Sequence, residues 1–199
     1  MGKVIGPGSL IADLTGFAPH FPALGETVMG STLRIGPGGK GSNQMTAAHR
    51  AGADVCLIGR RGEDFLGRVL EAHYAAEGMR EDRIVIDPKG ETGSAFIEVQ
   101  ETDGQNRIIV IFASNTQVSR EDVLRAESDF ADADAVLCQF ETGLTSIEAA
   151  LELARKYRIP SILNPAPFMD FPKSVFRATS SGNRHSAAIP LPVPRLLPE

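Results

Sequence analysis

Short apolar runs such as DVCLIG and AVLCQF, separated by amphipathic stretches of helical period, constrain this chain more than any other feature. A strand that returns to its sheet through a helix enters it parallel. The pattern therefore predicts an α/β fold, a mainly parallel sheet flanked by helices. The first strand is expected to end near Gly8, leaving Ser9 to Asp13 as a loop or a strand departing from the sheet's edge. A helix over Asn43 to Arg50, stopped by Gly52, leads into a strand over Asp54 to Ile58. Asp64 to Ala76 carries Phe65, Leu66, Val69, Leu70 and Tyr74 on one helical stripe, and Gly78 closes it. Ser119-x-x-Asp122 reads as a capping box for a helix to about Phe130, followed by a strand over Ala135 to Gln139. Thr145-x-x-Glu148 reads as the cap of a helix to Lys156, and Ser161 to Leu163 as the next strand.

Two stretches break the alternation. Gly93 to Gln100 and Asn106 to Phe112, joined by the turn-rich ETDGQ, read as a hairpin that pairs antiparallel with something further. Ala18 to Ile35 is rich in Pro and Gly, with β-prone pieces such as TVMGSTL. Together they suggest a small β layer outside the main sheet, able to cover a site. The expected division is an α/β core over 1–17, 36–92 and 113–175, a β lid over 18–35 and 93–112, and an irregular tail over 176–199. That tail, FRATSSGNRHSAAIPLPVPRLLPE, holds four prolines and no sustained period.

A formal net charge of −5 across 199 residues leaves no basic face, so nucleic acid and acidic membrane surfaces are poor partners and a small ligand is favoured. No apolar run reaches the length of a membrane span and MGKVIGPGSL lacks the regions of a signal peptide, so cytoplasmic residence is expected. Cys56 and Cys138 lie inside apolar runs, as reduced core residues do.

The stretch Pro37-Gly38-Gly39-Lys40-Gly41-Ser42-Asn43 resembles a phosphate loop, but fails the Walker A spacing. Arg34 stands at the first glycine position, and Gly41 rather than a hydroxyl residue follows Lys40. The Rossmann glycine spacing fails as well. What remains is either a plain glycine turn before a helix or a helix entry whose backbone approaches a ligand closely. Asp13 and Glu141 each follow a predicted strand, where ligands of open α/β sheets gather, and carboxylates there suit polyhydroxyl ligands. Taken singly, each also reads as a loop or cap residue. Asn164-Pro165-Ala166-Pro167 ends another strand at the same rim, as a rigid loop. The four histidines show no metal-ligand spacing. Ala51-Gly52-Ala53-Asp54 mimics a kinase G-A-x-D loop, but its place between a helix and a strand makes it a helix stop.

In order and spacing, GSLIAD, PALGETVMG, GPGGKGSNQMTAAHRAG, GEDFLG, ETGSAFIEV, QFET and ILNPAP resemble the ribokinase-like (PfkB) carbohydrate kinases, on their ribokinase branch, over about residues 4 to 172. The resemblance implies a Rossmann-like fold, here incomplete, with a β lid through which members commonly dimerise. It implies ATP-dependent phosphorylation of ribose or a similar small sugar, with ATP and Mg2+ as cofactors and a monovalent cation as a possible further one. It places Gly39, Lys40, Gly41 and Asn43 on the sugar, Asp13 on its hydroxyls and Glu141 on the far side.

Two departures stand out. Ile11 occupies the position where ribokinases usually carry asparagine, and it cannot hydrogen-bond a sugar hydroxyl. The family's D-T-x-G-A-G-D segment, which supplies the catalytic aspartate, and its T-P-N-E motif are both missing, with Gly182-Asn183-Arg184 at most a distant echo of the second. The loss of pattern after Phe176 reads as a truncated or out-of-register end. Little or no turnover is then expected of this chain alone, and a non-catalytic sugar-binding or interaction module is the alternative.

Overall fold

The computed structural model of the chain describes residues 1–167. Its centre is a five-stranded, all-parallel sheet. The strands are β1 (Lys3–Pro7), β4 (Asp54–Gly62), β5 (Ile84–Asp87), β8 (Ala135–Gln139) and β9 (Ser161–Asn164), in the order β5-β4-β1-β8-β9. Alternate residues of each strand face opposite helical layers. Val55 and Leu57 of β4 face α1 (Lys40–Arg50) and α2 (Phe65–Glu77), packing with Leu10, Met45, Leu70, Tyr74 and Met79. Cys56 and Ile58 join Ile5, Val136 and Cys138 under α3 (Arg120–Arg125), α4 (Glu127–Phe130) and α5 (Leu144–Tyr157). Both cysteines are free and buried.

A second sheet of order β3-β2-β6-β7 stands apart from the first: β2 (Ile11–Ala18), β3 (Thr32–Gly38), β6 (Gly93–Gln100) and β7 (Asn106–Ile111). The hairpin forms as expected, but β6 meets β2 in parallel, not antiparallel. This sheet is also wider than the lid read from sequence. All of β2 and β3 belongs to it, so 11–17 and 36–38 leave the core range, whereas 19–31 contains no strand. Glycine and proline punctuation marks where strands end, but does not say which sheet supplies their partners.

Helix starts show when a local signal decides. Asp64 caps α2 by accepting from Gly67 N, Gly78 ends it in the left-handed conformation, and the Ser119 and Asp122 capping box forms as expected. That helix breaks at Ala126 into α3 and α4 rather than running unbroken to Phe130. The Thr145-x-x-Glu148 box does not form. α5 starts behind Gly143, where a Cβ would lie 2.6 Å from Val118 O, so close packing sets this entry instead of a side-chain cap. α1 begins at Lys40, one turn earlier than the predicted Asn43. The tail over 176–199 lies outside the described residues, as does the end of the predicted core range.

Candidate functional site

In the five-stranded sheet the chain moves outward from β1 to β4 and β5, then returns to the other side of β1 for β8 and β9. Strand order therefore reverses beside β1, and the crevice beyond the carboxyl ends of β1 and β8 is where such folds bind ligands. Ser9 follows β1 and Glu141 follows β8. Glu141, only 5% exposed, accepts from Ser9 Oγ at 2.6 Å, from the Lys40 backbone N–H at 2.8 Å and from Lys40 Nζ at 2.6 Å.

Close backbone approach brings Lys40 there. Gly39 has φ 88°, a conformation that costs a residue with a Cβ, and a Cβ there would lie 2.7 Å from Ser9 O. A Cβ at Gly41 would overlap the Gly8 backbone. The glycines thus press the start of α1 against the end of β1. Gly41 N donates to Ser9 Oγ at 3.0 Å and Ser42 N to Ser9 O at 3.0 Å. With Lys40 N donating to Glu141, the N–H groups of Lys40, Gly41 and Ser42 at the helix start are each engaged by the protein. A phosphate at a helix N-terminus needs those N–H groups, and here the Glu141 carboxylate holds the anion's place. The loop is therefore not a phosphate cradle. Among the described residues no group of three or more His, Cys, Asp or Glu is arranged to hold a metal ion. The start of α1 accordingly does not fit the triphosphate of ATP.

Asp13 comes from the other sheet. It sits on β2 opposite Gly36, with its carboxylate over Gly38, which has no side chain to displace it. Burial pushes its pKa up to about 6, Glu141 adds to the rise, and Lys40 opposes it. A carboxyl held half-buried near a second carboxylate is costly without a ligand, which is how binding groups differ from structural ones. Asp13, Lys40 and Glu141 thus act on one another across the crevice, with Gly39 and Gly41 shaping its floor.

Asn43 follows Lys40 by three residues along α1. It is exposed on the next turn of α1 and lines a shallow groove with Pro37, Thr46, Ala47, Arg50 and His73. Ile11 is buried and lies on the Asp13 face of β2, so it offers the crevice an apolar wall. The Asn164 to Pro167 loop closes on the rim, with Phe140 N donating to Ala166 O at 3.1 Å. Sequence reasoning quoted Ser9 within GSLIAD but assigned it no role. A buried serine leaves no periodic signal, and its double hydrogen bond to Glu141 and Gly41 exists only once the strands are side by side.

Comparisons with known proteins show the family and the fold. The family model described as pfkB family carbohydrate kinase matches residues 1–179. The chain is 37% identical over 160 residues to ribokinase of Haemophilus influenzae, covering 80% of this chain and 52% of that protein. It is 34% identical over 187 residues to ribokinase of Bacillus subtilis, covering 93% and 63%. Among solved structures, ribokinase from Giardia lamblia superposes with a TM-score of 0.78 at 26% identity, over 90% of this chain and 56% of that one. Arabidopsis thaliana ribokinase, complexed with ribose and ATP, superposes with a TM-score of 0.74 at 27% identity, over 89% and 57%. The chain spans between 52% and 63% of the length of these four relatives. A matched family model over nearly the whole sequence, ribokinase relatives and a parallel α/β sheet of the same fold place the chain in the pfkB family of carbohydrate kinases.

Proposed function

We propose that this chain carries the sugar-binding part of a ribokinase-type kinase, with ribose or a similar small polyol as its ligand. The observation that carries this reading is the convergence of Asp13, Lys40 and Glu141 at the switch-point crevice, with the N–H groups of Lys40, Gly41 and Ser42 already engaged. With those helix-entry N–H groups taken, the site lacks the backbone donors of a phosphate cradle but retains groups that suit hydroxyls. The Asp13 carboxylate accepts from two adjacent hydroxyls, and Lys40 Nζ, held by Glu141 through one N–H, has others to donate to a hydroxyl or ring oxygen. In the complete kinase ATP with Mg2+ would phosphorylate the bound sugar. The base and the anion-stabilising loop for that step belong to the D-T-x-G-A-G-D segment, which these 199 residues do not contain.

Calorimetry and a coupled assay test both halves. Ribose should bind to the 199-residue chain, and ADP release should stay at background with ribose present. Absence of binding by ribose and related pentoses would overturn the site, and sustained ribose-dependent ADP release would overturn the assignment of catalysis to residues beyond these.

We further propose that the four-stranded sheet mediates self-association. On the face opposite Asp13, Ile35, Leu14, Phe96 and Ile109 stand in register across all four strands. Phe96 is 47% and Ile109 68% exposed, with Leu33 and Ile111 beside them. A contiguous apolar row of this kind marks an interaction surface. Sedimentation should show a dimer that Ile109→Glu converts to monomer, since the substitution buries an unpaired charge in the contact. A monomeric wild-type chain at high concentration would refute this arrangement.

A further inference from the structure

Three passages of chain cross between the two sheets close together: Gly8 to Leu10 entering β2, Glu91 and Thr92 entering β6, and Phe112 to Asn115 leaving β7. Asn115 lies at this crossing with no exposed surface. Its Oδ1 accepts from Leu10 N–H at 2.7 Å, and its Nδ2 donates to Leu10 O at 2.8 Å and to Phe112 O at 2.8 Å. A carboxamide that both accepts from and donates to the backbone of one residue does what a neighbouring strand would do. Leu10 is itself fully buried, so water cannot replace that partner.

The neighbouring residues make room for this contact. A Cβ at Gly93 would overlap Asn115 Nδ2 and lie 2.8 Å from Leu10 O. The ladder between β2 and β6 begins one residue on, with Ile11 opposite Gly93, so the Asn115 side chain acts as the first rung of the sheet that carries Asp13. Ser114 N donates to Glu91 O at 3.0 Å and ties the third passage to the second. Asp13 stands three residues beyond the pinned Leu10. The charged groups that face it are Lys40 from α1 and Glu141 from the segment after β8, both fixed to the other sheet.

We infer that Asn115 is a positioning residue of the sugar site: by clamping Leu10 it sets where Asp13 stands relative to Lys40 and Glu141. This inference rests on reading the crevice as a sugar site. Asn115 touches no substrate itself, and its effect passes through the root of β2.

The test compares Asn115→Ala with Leu151→Ala, a fully buried α5 position that loses stability without touching the crossing. Two quantities are read in the full chain: the titration midpoint of the Asp13 carboxyl carbon by NMR, assigned with Asp13→Asn, and ribose affinity by calorimetry. In Asn115→Ala the midpoint should fall from about 6 toward that of an ordinary aspartate, as Asp13 moves away from Glu141 and into water. Ribose Kd should rise by about tenfold to a hundredfold, the cost of a misplaced binding group. Leu151→Ala should move neither. An unchanged midpoint in Asn115→Ala, or an equal shift in Leu151→Ala, would overturn the inference. If Asn115→Ala does not fold, Asn115→Ser carries the same comparison. If wild-type chain binds no ribose, the sugar reading fails separately, because the Asp13 midpoint still reports on the clamp.

Discussion

Replacing Glu141 by alanine should abolish measurable ribose binding and lower the stability of the chain by about 3 kcal/mol, the loss of hydrogen bonds to a buried charge. Three donors depend on that carboxylate: Ser9 Oγ, the Lys40 backbone N–H and Lys40 Nζ. Ser9 is fully buried, so its hydroxyl would lose a partner that water does not replace. Lys40 is 38% exposed along its side chain, so its ammonium would turn to solvent and the salt bridge itself accounts for the smaller part of the loss. Affinity suffers more than stability. With Lys40 released, the ammonium no longer points across the crevice and the helix entry loses its anchor to β8. Glu141→Gln keeps an acceptor for the backbone N–H but not the charge that holds Lys40, so it should lose less stability and nearly as much affinity. Chemical denaturation and calorimetry on both variants check this, and an alanine variant with wild-type affinity would remove Glu141 from the site.

Asp13→Asn is expected to do the opposite to stability. The folded-state pKa of Asp13 is raised from 3.8 to about 6, mainly by burial and then by Glu141. A raised carboxyl pKa means that the native state binds more protons than the unfolded state between about pH 4 and pH 6, so stability falls as pH rises through that window. At pH 7 the ionised Asp13 therefore weakens the empty fold, and asparagine should strengthen it by about 1–2 kcal/mol after allowance for the solvent that reaches this half-buried group. Ribose affinity should fall about a hundredfold, because a neutral amide has one acceptor where the carboxylate has two and no charge to strengthen either bond. The wild-type chain should lose affinity about tenfold per pH unit below about 6, as protonated Asp13 must release its proton to accept sugar hydroxyls. Thermal unfolding and ribose titration at several pH values measure both effects. A less stable variant with intact binding would make Asp13 a structural residue. Gain in stability with loss of ligand is the expected behaviour of a group retained for binding.

Much of the fold was legible because its signals are local. The Ser119 capping box, the left-handed Gly78 and the strand AVLCQ depend on residues within a few positions of one another, and each appears where its pattern placed it. Thr145-x-x-Glu148 carries the same kind of pattern and fails, because Gly143 is pressed against Val118 and this contact, absent from any short window, sets the helix start. Motif order pointed to the family and, through it, to a sugar role for the glycine-lysine stretch, whereas composition and spacing alone left it open between a turn and a ligand loop. Asn115 left no signal at all. A lone asparagine inside a short 3-10 helix is ordinary until Leu10 is found beneath it.

By itself, then, the sequence determined the alternation of strands and helices, their punctuation and the family resemblance, all properties of neighbouring residues or of motifs in order. Tertiary structure decided which sheet takes β2, which groups engage the N–H donors of α1, and whether Asp13, Lys40 and Glu141 share a crevice. Those outcomes depend on partners far apart in the chain, 101 residues for Lys40 with Glu141 and 132 for Ser9 with Glu141. Periodicity reports which face of an element is buried, but a hydrogen bond or a charge interaction is decided only by what the fold brings opposite it.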